Sequence, residues 1–407
     1  MTFYVSASGS DNADGLTKET AWASIEKVNS SLPCGAVALF QRGHTFFGEL
    51  TPPEGSTIGA FGAGSKPILS MHKVLNRSAG WLEHSAGVWK VNLGSPETHS
   101  GYNATRDSNI GHLVVDGIIK AGKKTRIEDL KSAWDFCSDN STKTLYVAAY
   151  DNPAHLSKNI RAAPRGESGS VINCDLRSIN VQGIHVTGSG GHGITGVGAD
   201  VTISDCIIDY IGGSFLPGFK NEMVRYGNGI ENWIGAKRWT IEDNLISQIY
   251  DAAYTCQGKA GSDVLTWEDM VFRNNHIRDC TQSFEFWSTG NNPDAGFKRI
   301  LVDGNMCERA GYSAFADFRP NQQVRVHLLT YEWGLPADIA VQNNIFEGAY
   351  SAYSYHLREP IGLVTRGNTV ILGEGTKMEY QRAETIEQAA LWQARTGREA
   401  GSRMLAL

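Results

Sequence analysis

Apolar and polar residues alternate along this chain in short runs, and the runs themselves recur. Residues 240–246, 271–277, 301–307, 340–346 and 364–370 superpose, each with Asn in the fifth position: Asn244, Asn275, Asn305, Asn344 and Asn368. Upstream, residues 202–208 fit with Cys206 in that slot and residues 180–186 with Ile184. From Ile184 to Asn368 the successive slots are 22, 38, 31, 30, 39 and 24 residues apart. Self-similarity at such a period marks stacked repeats. The shortest steps match one bare coil of a parallel β-helix, and the longer ones leave room for inserted loops. A repeated Asn at one corner has a physical role, because stacked amides hydrogen-bond along the stack. Asn also tolerates the left-handed backbone of a tight turn.

About eight residues past each slot the pattern predicts a second strand. Residues 229–233, 252–256, 283–287, 313–317 and 352–356 align there. Side chains on a strand alternate between faces. Ile230, Ala253, Phe284, Ala314 and Tyr353 form an apolar column, predicted to face the core with Asn232, Thr255, Phe286, Ala316 and Tyr355. The outward columns are then Glu231, Tyr254, Glu285, Phe315 and Ser354, and Trp233, Cys256, Trp287, Asp317 and His356. A one-residue slip would turn the acids inward and expose Ile230 and Phe284, at about 1.5–3 kcal/mol for each apolar side chain.

Composition narrows the class. Of 407 residues, 45 are Gly and only 12 are Pro, which suits a turn-rich β protein. The net charge of −6 argues against a nucleic-acid partner, and the apolar runs are too short to cross a bilayer as helices. Seven cysteines without tight spacing describe neither a disulfide framework nor a zinc site. Cys280 and Cys307 align with Ile249 and Ile246 and are expected to be interior thiols. No secretory leader opens the sequence. The compartment is therefore open between an intracellular or phage-associated protein and one exported with a leader since removed. Oligomeric state is also open.

The opening residues resemble a known superfamily. Phe3-Tyr4-Val5-Ser6, Gly9-Ser10-Asp11, Asp14-Gly15, Ala21-Trp22 and Ile25 look like the start of many pectate-lyase-like proteins. Residues 40–46, 58–62, 66–68, 145–147 and 151–153 continue the pattern, and the likeness runs to about residue 373. The resemblance implies an all-β, right-handed parallel β-helix with short capping helices at both ends. Its N-terminal cap is expected at 21–30, and a closing helix at 382–394. The expected division is a β-helix with inserted loops over 1–373 and a helical cap or tail over 374–407. Residues 75–165 read as an insertion and early coils, and regular coils as running from about 170. Members of the superfamily are lyases, glycoside hydrolases, epimerases and phage depolymerases, so the fold alone names no reaction.

The outward face carries the chemistry. Exposed Trp rings beside acids suit sugars, whose faces are apolar and edges polar. Acid–base cleavage of a glycosidic bond needs two carboxyl groups flanking the bond. Glu231 and Glu285 share one column two coils apart, roughly 10 Å between backbones at about 4.8 Å per strand. Asp251 and Asp317 are the further candidates. Trp233, Trp287 and Tyr254 are expected to bind substrate with them. The loop insertions are expected at 212–228, 257–266 and 319–336. They bring Arg225, Tyr226, Gln257, Arg319, His327, Tyr331 and, at the strand end, His356 to the margins.

The expected function is hydrolysis of a poly- or oligosaccharide without a cofactor or metal. One alternative is a polysaccharide lyase acting on a uronate polymer. It would draw on Arg225, Arg319, Arg358, His356 and Tyr254, with Ca²⁺ as a possible neutraliser. The other is a carbohydrate-binding adhesin without catalysis.

Overall fold

The computed structural model describes residues 1–102, 109–220 and 224–407. The coils stack their strands into three parallel sheets of twelve, ten and eight strands among the described residues. The first sheet begins with Thr2–Val5, Val37–Gln41 and Thr57–Phe61 and continues from Asn180–Gln182 through Lys237–Glu242 to Leu363–Arg366. The second follows it round the corner, with Leu245–Ile249, His276–Arg278 and Met306–Ala310 among its strands. The third contains His192–Thr195, Ile230–Trp233, Ala252–Lys259, Gln282–Thr289, Val326–Trp333 and Ser351–Tyr355. Alternation drives one side chain in two inward, and the inward set merges into a single apolar core along the stack. Cys280 and Cys307 lie in that core as free thiols, as their alignment implies.

The Asn slots form the expected ladder at the corner between the first two sheets. The side-chain N–H of Asn244 donates to Asn275 Oδ1 (2.9 Å), Asn275 to Asn305 (3.0 Å), Asn305 to Asn344 (2.8 Å) and Asn344 to Asn368 (3.0 Å). Each acceptor oxygen also takes the backbone N–H of the slot before it. The ladder ends on Glu399, a buried carboxylate that accepts from Asn368 and from the Tyr353 hydroxyl. One detail differs from expectation. The left-handed backbone belongs to the residue before each ladder Asn: Asp243 (φ 57°), Asn274 (55°), Gly304 (66°), Asn343 (56°) and Gly367 (63°). That position therefore favours Asp, Asn or Gly, while the ladder position is selected for its amide.

Both ends are closed by short helices. Ile25–Ser31 is capped by Ser24, whose hydroxyl accepts from Lys27 N–H, and buries Ile25 and Val28. A 3₁₀ turn, Ile386–Gln388, leads into Ala389–Thr396, which stops at Gly397 in the left-handed conformation. Trp392 of this helix stacks on Tyr353 at 5.4 Å. Strands Lys377–Glu379 and Arg403–Ala406 add to the third and second sheets.

The coils begin at residue 2, and the segment read as an insertion with early coils is an insertion alone. Between Ile68–Ser70 and Ser170–Asn173 the chain builds two further sheets, largely antiparallel, of five and four strands. Leu113, Val115, Phe136, Leu145 and Val147 give it a separate core. When the chain returns, His185 pairs with Ile68, so the stack resumes where it paused.

The third sheet corrects two alignments. Ile230 pairs with Tyr254, and Tyr254 with Phe284, so Tyr254 and Cys256 face inward while Thr255 and Gln257 take the outward columns. The cause is one extra corner residue. Tyr250 and Asp251 separate Ile249 from Ala252, whereas Thr281 alone separates Cys280 from Gln282. Secondly, residues 313–317 are not a strand. They lie in an inserted segment with a 3₁₀ turn at Ala316–Phe318, and the sheet strand is Val326–Trp333. Phe315 buries instead against Ile119, Ala121 and Tyr250, in a small core that the insertion helps to build.

Candidate active site

The outward column of the third sheet reads Thr195, Glu231, Thr255, Glu285 and Leu329. Glu231 and Glu285 are thus two coils apart on one face, with Thr255 wholly covered between them. Beyond Glu285 the face is closed by Leu329, which packs with Val324 and Val326.

Glu231 is only 7% exposed and is held from several sides. Its Oε2 lies 2.9 Å from His192 Nε2 and accepts from the Thr195 hydroxyl at 3.3 Å. Its Oε1 accepts from the Gln257 amide. The backbone N–H of Asn228 donates to His192 Nδ1 at 3.1 Å. In the neutral ring the proton must then sit on Nε2, facing Glu231. The edge of Tyr226 packs on the imidazole at 5.1 Å, and Arg165 donates to the Tyr226 hydroxyl. Burial alone would raise the Glu231 pKa. His192, with the hydrogen bonds from His192, Gln257 and Thr195, outweighs it and keeps the carboxyl below the ordinary glutamate value.

Glu285 has the opposite environment. Burial first, and the nearby Asp251 carboxylate second, push it up to about 8, with Arg319 opposing and Glu231 adding to the rise. Asp251 sits on the extra corner residue, where it ion-pairs with Arg319 and accepts from the Gly227 N–H at 3.2 Å. Arg319 lies over the Tyr250 ring at 4.9 Å. Two carboxyl groups on one face are therefore driven apart, one toward the charged and one toward the neutral form.

Aromatic rings flank this pair. Trp233, 41% exposed, and Trp287 tilt against each other at 6.0 Å between centroids. Lys259 Nζ lies 5.9 Å over Trp287. Trp287 pairs with Glu332, and the intervening Tyr331 is a bulged residue stacked on His356 at 4.8 Å.

Other sequence-expected residues are placed elsewhere. Tyr254 stacks on Phe272 in the core, at 4.7 Å. His327 is fully buried, stacked on Phe346 and hydrogen-bonded to Ser283; burial pushes its pKa down to about 3. Arg225 spends its guanidinium on the carbonyls of Gly213, Ala121 and Gly111, which tie the insertion to the coils. Tyr226 supports His192. Asp317 points to solvent from the inserted segment, its side chain 72% exposed and paired with Arg325 at 3.3 Å. Sequence reading missed His192, Thr195 and Thr255. Running the outward column one coil back from Glu231 would have found Thr195, with His192 three residues before it. Among the described residues no three His, Cys, Asp or Glu side chains gather as a metal site.

No known family model and no curated protein matches the chain. Solved structures do. XylC in complex with xylose aligns at a TM-score of 0.57 and 12% identity, covering 93% of this chain and 70% of that one. A glycoside hydrolase aligns at 0.46 and 9%, over 100% and 96%. The Yersinia enterocolitica family 28 exopolygalacturonase aligns at 0.34 and 10%, over 100% and 78%. At 12% identity what XylC shares with this chain is its path in space, that of a right-handed parallel β-helix.

Proposed function

We propose that the protein is a glycoside hydrolase acting on a poly- or oligosaccharide laid across the third sheet. Glu285 is its general acid, and Glu231 is the ionised partner that acts from the sugar's other side. The observation that carries this is the divergence of the two carboxyl groups. Glu285 holds its proton near neutral pH, as protonation of a leaving oxygen requires. Glu231 accepts three side-chain hydrogen bonds, which leaves one of a carboxylate's roughly four lone-pair positions for a water or an anomeric carbon. The Trp233 and Trp287 rings supply the apolar surface for a sugar face. XylC, which shares the fold, holds xylose. Hydrolysis is favoured over β-elimination because Arg225 is committed to backbone carbonyls and Arg319 to Asp251. Neither is left to neutralise a uronate.

A panel of plant and bacterial polysaccharides tests the reading. New reducing ends without ultraviolet-absorbing ends are expected from the parent, and Glu231→Gln and Glu285→Gln should each lose at least about 10²-fold in turnover. Unsaturated products would establish a lyase, and binding without cleavage an adhesin. Parental rates in both variants would refute the assignment.

A further inference from the structure

The outer face of the second sheet, away from the groove, carries a cavity of about 180 Å³ where the insertion leans on the coils. Its lining includes His72 and Arg161 from the insertion side and Thr187, His185, Asp209 and Tyr210 from the coils. Several of these groups lack partners. His72 and Thr187 are 1% and 3% exposed, yet His72 Nε2 and Thr187 Oγ1 reach no hydrogen-bonding group among the described residues. Arg161 is half-buried; its Nε is covered and unpartnered, and among the described residues no carboxylate pairs with its guanidinium, which lies over the Tyr210 ring at 5.6 Å. Asp209 is already engaged by His185 Nε2 at 2.8 Å. Buried polar atoms are normally satisfied, and a cluster of exceptions around one cavity calls for an explanation.

We propose that this cavity binds a small hydroxylated carboxylate: Arg161 takes the carboxylate, and Thr187, His72 and the His185–Asp209 pair take the hydroxyls. The placement of the polar groups selects that chemistry. Asp209 is hydrogen-bonded to His185, and no carboxylate lies within ion-pair distance of the Arg161 guanidinium among the described residues; a guanidinium matches a carboxylate with two parallel hydrogen bonds. The neighbouring donors and acceptors are neutral or mutually paired, which suits hydroxyl groups. At about 30 Å³ per water the space equals about six waters, enough for one sugar ring or a short open chain. An acidic monosaccharide and an open-chain sugar acid share this chemistry.

Isothermal titration of the full chain with D-glucuronate, D-gluconate, D-glucose and inorganic phosphate tests the proposal and separates the two sources. Binding of glucuronate or gluconate at least tenfold tighter than glucose and phosphate is expected. Arg161→Gln should weaken it at least tenfold, and Thr187→Val severalfold. Arg161→Gln should melt like the parent, since among the described residues its side chain has no hydrogen-bond or ion-pair partner to lose. Glu285→Gln should leave the affinity unchanged, which sets this site apart from the groove whatever the groove does. No binding of either acid at millimolar concentration, equal binding of glucose or phosphate, or binding indifferent to Arg161→Gln would overturn it.

Discussion

Replacing Glu285 by Gln tests the raised-pKa acid through stability as well as through turnover. A group whose pKa is raised on folding holds its proton in the native state after the unfolded chain has released it. Between the ordinary glutamate value of 4.5 and about 8, the folded protein therefore binds more protons than the unfolded one, and stability falls as pH rises through that window. At about 1.36 kcal/mol per pH unit, the full rise corresponds to about 5 kcal/mol, an upper bound because residual structure and solvent relaxation reduce it. Gln keeps the shape and carries no proton to lose, so this pH dependence should vanish in the variant. Guanidinium unfolding of parent and variant at pH 5 and pH 9 measures it. The variant's stability relative to the parent should rise by about 3–5 kcal/mol between the two. At neutral pH the variant should be folded and inactive. An unchanged difference between pH 5 and pH 9 would refute the claim that Glu285 is a raised-pKa acid, whatever its activity.

Asp251→Asn removes the charge that, after burial, most raises Glu285 and leaves Arg319 to lower it. The alkaline limb of kcat/KM should move at least about one pH unit toward acid, and a pH–rate profile with the limb in place would count against that pairing. Trp287→Ala should raise KM about tenfold with kcat changed far less, because the ring binds without touching the reacting bond; steady-state kinetics on the substrate identified by the panel reads the split. Asn305→Ala breaks the ladder in mid-stack, takes the acceptor from the buried backbone N–H of Asn275 and leaves Asn344 Oδ1 with one donor fewer. It should cost about 2–4 kcal/mol in denaturant unfolding, whereas Asn343→Ala, one residue before the slot, loses mainly its left-handed tolerance and should cost about 1–2 kcal/mol.

Local periodicity was legible in the chain itself. A period of two put Glu231, Glu285, Trp233 and Trp287 on the outer face, because the alternative buries acids and exposes Ile230 and Phe284. Recurrent Asn with a two-residue corner located the ladder, because an amide that bonds to its own kind must recur at one place in every coil. Register between coils was another matter. Tyr250 and Asp251 fill a corner that Thr281 fills alone one coil later, and no local pattern distinguishes an extra corner residue from a strand residue. That one residue sent Tyr254 into the core and placed Asp251 beside Glu285. Likewise Ser313–Asp317 has strand-like alternation, but Phe315 finds apolar partners on a segment nearly 200 residues earlier in the chain. The identity of His192 as the partner of Glu231, and the rise of the Glu285 pKa, arise from stacking and burial between residues far apart in sequence. Alternation is a property of neighbouring residues and can be read along a chain; coupling between charges depends on distance and desolvation, which exist only once the coils are stacked.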